Sequence, residues 1–208
     1  MSLTNQRVYL NWRMSKDDRA SNYAAMGEGY SHAASRLMDS LLEDNVGHDA
    51  DAVIFPALFC SHQSIELYLK ATRIAAREAT GFNPWKVKIK DTHNLKCLLS
   101  SLNSCIDNGQ ERLKRNLETA PLFDLIDLLM FVGDDKTGGY FVDFARYPEK
   151  ESGQLYLFVD DDKLVFELSK IRQLIDNGCS FIEGYYSLWQ ERADCVRAAK
   201  AESLRSKQ

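Results

Sequence analysis

Residues 57–71 read Ala57-Leu-Phe-Cys-Ser-His-Gln-Ser-Ile-Glu-Leu-Tyr-Leu-Lys-Ala71, a helix that is apolar almost all the way round. Leu58, His62, Ile65, Leu69, Thr72 and Ala76 recur at helical spacing. Cys60, Ser64, Leu67, Ala71 and Ile74 make a second stripe of small and apolar groups. One narrow line, Gln63, Glu66, Lys70, Arg73 and Arg77, is polar. A helix of this kind belongs in the middle of a bundle, with its charged seam turned to water, a partner or a ligand.

The flanking sequence extends the same reading. Asp17-Asp18 offers helix-start chemistry, and Tyr23, Met26, Tyr30, Ala33, Leu37 and Leu41 carry a first long helix to about Asn45. Gly47 to Asp51 is a turn, and the second helix is expected from about Asp51 to Ala79, with Pro56 marking its true start or a kink. After the breakers Thr80-Gly-Phe-Asn-Pro84, a third helix runs from about Asn94 to Ile106, capped by Asp91 or Thr92. A fourth helical region covers about Glu111 to Val132, interrupted or restarted at Pro121. A small β-hairpin insertion is expected near residues 140–166, before a final helix from about Glu167 to Ala199. The fold expected is mainly α: an antiparallel bundle of four to five helices. Residues 1–16 form a flexible N-terminal arm, 17–199 a single helical domain and 200–208 a polar tail.

Composition narrows the function. With 208 residues, 45% hydrophobic and 27% charged, the chain can bury one sizeable core. Its net charge of −4 argues against gripping long nucleic acid over a whole surface, so any such contact is local. The opening residues lack an apolar run of signal-peptide length, and 121–133 is too short and too acidic to span a bilayer. Five cysteines without a CxxC pair read as small buried residues of a reduced compartment. A cytoplasmic protein without a membrane partner is expected.

Each candidate site has two readings. Glu66 and Lys70, at i,i+4, are an ordinary helix ion pair or the walls of a site in which a phosphate interposes between Lys70, Arg73 and a neighbour. His93, at a helix start, is an exposed histidine beside a cap or a proton-transferring group beside free N–H donors. His62 reads as a hydrogen-bonded core residue. Arg146, before Tyr147-Pro148, either recognises phosphate or pins its loop to Glu149 or Glu151. The four histidines form no HxxxH or HxxH pair, and no metal or cofactor is called for. Gly133-Asp-Asp-Lys-Thr-Gly-Gly139 lacks the GxxxxGK[ST] order of a phosphate loop, and hydrolase motifs such as GxSxG are missing.

The 61–71 helix, the Thr92-His-Asn-Leu95 helix start and Phe144-Ala-Arg-Tyr-Pro148, in that order, resemble the "E-x-x-L-K-A", "H-[DN]-L" and "R-Y-P" elements of the HEPN (higher eukaryotes and prokaryotes nucleotide-binding) domain family. The resemblance covers roughly residues 20–195. It implies a dimerising helical bundle that binds a nucleotide or RNA segment, cleaves RNA, or partners a small nucleotidyltransferase in toxin–antitoxin and bacterial defence systems. Ribonuclease members carry an arginine four to six residues before a histidine. Here Arg77 is the nearest arginine before His93, and that interval is too long. A non-catalytic module is therefore expected, with Glu66, Lys70, Arg73, His93 and Arg146 holding the ligand. The alternatives are a metal-independent endoribonuclease using His93 with Arg146 or Lys70, and a regulatory or structural homodimer.

Overall fold

The computed structural model describes residues 8–9, 13–81, 93–106, 111–131, 145–149, 152–153 and 165–206, and among them the regular structure is helical. The helices are α1 (Arg19–Glu43), α2 (Ala50–Thr80), α3 (Leu95–Ser104), α4 (Ala120–Phe131) and α5 (Leu168–Arg205). Most of the hairpin expected near 140–166 lies outside the described residues, as do Leu10 and Trp12 of the N-terminal arm. Residues 145–149, which are described, form a short irregular turn.

Local chemistry sets the helix ends. The Asp18 carboxylate caps α1, accepting from the Ser21 N–H at 2.9 Å and the Ser21 hydroxyl at 2.8 Å. Just before it, the Ser15 N–H donates to Asn22 Oδ1 and Asn22 Nδ2 returns to the Ser15 carbonyl, so the arm is anchored from this point. α2 begins at Ala50 and passes through Pro56, which is exposed, so water can reach the carbonyl that proline leaves without a helical donor. It ends at Gly81, whose φ of +65° suits the left-handed cap that glycine adopts without strain. Neither Asp91 nor Thr92 is the cap of α3: Asn94 takes that position, its Oδ1 accepting from the Cys97 N–H at 3.0 Å. α5 continues through Arg205, six residues past the expected end.

α2 is the core. Leu58, Ile65, Leu69, Ala71, Ala75 and Ala76 are all buried, and each large side chain there contributes roughly 1.5–3 kcal/mol relative to exposure. Two of its buried hydroxyls are satisfied within the helix, Ser61 donating to the Ala57 carbonyl and Thr72 to the Tyr68 carbonyl. This is how a helix with so many small polar groups can sit inside a bundle. α2 is long and apolar enough to cross a bilayer, but its apolar side chains are used in this core.

Side-chain pairings give the helix directions. Ser21 meets Tyr186, Ser35 meets Asp176 and Asp39 meets Arg172, so α1 runs opposite to α5. Ser64 meets Cys179, Tyr68 packs on Tyr186 and Glu78 pairs with Arg197, so α2 runs with α5. Glu66 meets His93 and Thr80 meets the Cys105 carbonyl, so α3 also runs with α2. The bundle is therefore not a simple antiparallel alternation. His93, just ahead of α3, lies at the level of Glu66, well back from the end of α2 at Thr80. That placement sets the site.

Cysteine usage differs from expectation in one respect. All five thiols are free and Cys105 and Cys179 are buried, but Cys97 and Cys195 are exposed.

Candidate functional site

His62, Glu66 and Lys70 lie at successive four-residue intervals along α2, on one side of the helix. Glu66 is 2% exposed, a carboxylate inside the bundle rather than on an open seam. Its Oε1 accepts from Lys70 Nζ at 2.8 Å. His93, one residue ahead of the α3 cap, approaches across the groove, and its Nδ1 donates to both Oε1 and Oε2 at 3.0 Å. Beneath them His62 Nδ1 stands 3.9 Å from Oε2. Two histidines and a lysine thus converge on one buried carboxylate.

The four groups differ sharply in their access to water. The His93 side chain is half exposed and that of Lys70 is 17% exposed, so a molecule arriving from solvent meets an imidazole and an ammonium. The carboxylate lies underneath. With Nδ1 committed to Glu66, a neutral His93 carries its lone pair on Nε2, the tautomer selection seen wherever a carboxylate orients an imidazole. The α3 N-terminus adds backbone N–H donors one residue further on.

His62 lies in the core, as the sequence reading expects, but without the hydrogen bond expected there. Among the described residues neither ring nitrogen makes a hydrogen bond of normal geometry. Burial drives its pKa down to about 4, against an upward pull from Glu66 and from the nearby His93 main chain and a downward push from His93 and Lys70. His62 is therefore neutral near pH 7. Its register with Glu66 was visible in the sequence as H-x-x-x-E-x-x-x-K, but assigning His62 to the apolar stripe hid it.

The other anticipated residues fall elsewhere. Arg73 and Arg77 lie half-buried further along α2, towards Cys105, where they partly offset the burial that pushes that thiol up. Arg146 is exposed and stacks on its own neighbour: its guanidinium lies 5.0 Å from the Tyr147 ring centroid and Nη2 donates to the Tyr147 hydroxyl at 3.0 Å. None of the described contacts joins Arg146 to His93; the group that His93 meets is Glu66. His32 and His48 are exposed, on α1 and in the turn before α2.

The chain matches no protein-family model, no curated protein and no solved structure. Its chemistry rests on geometry alone. Among the described residues, no three His, Cys, Asp or Glu side chains form a group able to hold a metal ion. A concavity of about 520 Å³ lies roughly 20 Å further along α2 (fourteen residues from Glu66 to Thr80 at about 1.5 Å each), lined by Thr80, Glu111, Trp189, Arg192 and Cys195. Arg192 is committed there to Glu111 and to the face of Trp189. What the α2–α3 groove offers instead is an ammonium and an imidazole held in register by a buried acceptor, an arrangement suited to a phosphate oxygen or to proton transfer.

Proposed function

We propose that this chain is a HEPN-like helical module that binds a phosphate-bearing ligand, a nucleotide or a short RNA segment, in the groove between α2 and the start of α3. The observation that carries the reading is the placement of Lys70 and half-exposed His93 on a common buried carboxylate. Glu66 orients both side chains and is itself shielded, so the ligand meets an ammonium and an imidazole rather than the carboxylate. An acidic protein can capture phosphate this way because recognition needs only a local positive face. The chain's role is then binding, as a dimer or beside a small nucleotidyltransferase in a defence or toxin–antitoxin setting.

Titration of adenosine 5′-monophosphate and of a short oligoribonucleotide against the protein tests this. Micromolar to millimolar binding that weakens at least tenfold in Lys70→Met and falls with added salt is the expected result. Equal affinity for wild type and Lys70→Met, or no binding of either probe, overturns it.

A second reading is favoured by the Glu66–His93 contact itself. A carboxylate bonded to Nδ1 presents Nε2 as a base, the device used in general base catalysis. In a metal-independent ribonuclease, His93 would accept the ribose 2′-hydroxyl proton and Lys70 would stabilise charge on the phosphate. Cleavage of RNA in excess EDTA that disappears in His93→Ala supports this reading; intact RNA removes it.

A further inference from the structure

Glu66 has two carboxylate oxygens and three neighbours able to donate. Lys70 holds Oε1, while His93 Nδ1 spans both oxygens. If His93 turned outward, Oε2 would be left in a nearly water-free site, where an unsatisfied charged acceptor costs several kcal/mol. The next donor is already in place. His62 Nδ1 is 3.9 Å from Oε2, about 1 Å beyond hydrogen-bond reach. That ring is 1% exposed and, among the described residues, makes no hydrogen bond of normal geometry, the His93 main chain beside it being at most a weak partner. The titratable groups acting on it are Glu66 and Lys70 from its own helix and His93 from the start of α3.

We infer that His93 and His62 are alternative donors to Glu66, so that a phosphate drawing the His93 imidazole outward is compensated inside the bundle by His62 closing on Oε2. The ligand step rests on the binding function proposed above; the exchange itself does not. In the free protein His93 latches the carboxylate. In the bound state His62 donates to it, and a bond to a carboxylate favours the protonated imidazole. Phosphate binding is thereby linked to proton uptake at His62, and by reciprocity lower pH tightens binding. The buried histidine acts as a positioning residue, keeping Glu66 satisfied while His93 engages the ligand.

Titrating the histidine rings by heteronuclear NMR tests this, using His93→Ala as a ligand-free surrogate of the released latch. The expected result is a rise of the His62 pKa by at least about one unit, with the Nδ1–H tautomer selected. The double variant Glu66→Gln/His93→Ala should not show the rise, which separates a new carboxylate bond from simple entry of water. An unchanged His62 pKa in His93→Ala, or an equal rise in the double variant, overturns the exchange. Wild-type protein with saturating adenosine 5′-monophosphate should show the same rise. Binding without that rise overturns the inference and leaves the binding function standing. Failure to bind removes the function and the ligand trigger together, and His93→Ala alone then decides whether the two donors exchange.

Discussion

His93 Nδ1 lies 3.0 Å from each carboxylate oxygen of Glu66, a contact made across 27 residues of sequence between a buried helix and the start of a short one. The bond joins the surface of the α2–α3 groove to the core, and Lys70 completes it from one turn along α2. A buried carboxylate is tolerated only where donors surround it, so removing any one of them should be felt both in stability and in binding.

Lys70→Met keeps the apolar stem and deletes the charge, leaving Glu66 to a half-exposed imidazole. We expect a loss of about 3 kcal/mol in urea unfolding, the scale of breaking a buried ion pair from one side. In the double variant Glu66→Gln/Lys70→Met more than half of that loss should return, because the uncompensated charge has gone. An additive cycle would show that the two side chains do not interact.

His62 makes the fold sensitive to acid. Its folded pKa of about 4 lies below the ordinary value of 6.5, so the unfolded chain binds the extra proton first as pH falls. Stability from this group is therefore complete above pH 6.5 and drains away between 6.5 and about 4, by about 3 kcal/mol. Replacing it by methionine should flatten the pH dependence of unfolding free energy across that window. An unchanged slope would assign the acid sensitivity to other groups.

Asn94 holds α3 and, through it, His93. Asn94→Ala removes the bond to the Cys97 N–H and should cost about 1 kcal/mol of stability. It should also loosen the His93–Glu66 contact, read as a shift of the His93 ring nitrogens towards a tautomer mixture. Asn94→Asp, which retains the cap, should preserve the ring signature.

Gly178 lets α5 approach α4. A Cβ built there meets Leu125 Cδ2 at 2.7 Å, Leu125 Cβ at 2.8 Å and the Pro121 carbonyl at 3.0 Å. Mid-helix alanine would ordinarily gain about 1 kcal/mol over glycine. Here the contact with backbone and with a Cβ, neither of which can rotate aside, should reverse the sign, for a net loss of about 1–2 kcal/mol in thermal or urea unfolding. Gly184 on the same helix has nothing within 4 Å, so Gly184→Ala serves as the opposite control and should stabilise.

The helices were legible because local chemistry makes them. Period-3.6 apolar stripes, the Asp18 cap and the Gly81 stop act within a turn or two of the chain, so the bounds of α1 and α2 lie within a residue or two of expectation. The cap of α3 was read two or three residues early because Asp91, Thr92 and Asn94 are all competent caps. Which of them serves is settled where His93 meets Glu66.

The candidate site was half legible. Glu66, Lys70 and His93 could be singled out, but pairing His93 with Arg146 followed sequence motifs that carry no distance. Arg146 instead stacks on Tyr147, the next residue in the chain. His62 was passed over because an apolar stripe and a polar seam on one helix are separated only by a rotation, and nothing local says how much of the seam is roofed.

Helix content, the central place of α2 and the spacing of His62, Glu66 and Lys70 along one side of it are properties of the chain, since they follow from a repeat of 3.6 residues. That Glu66 is buried, that His93 arrives above it and that His62 waits 3.9 Å below are properties of the packed bundle. Burial and the meeting of residues distant in sequence depend on how helices run past one another. The run of α3 alongside α2 is what turns a polar seam into a cluster of four ionisable groups around a buried carboxylate.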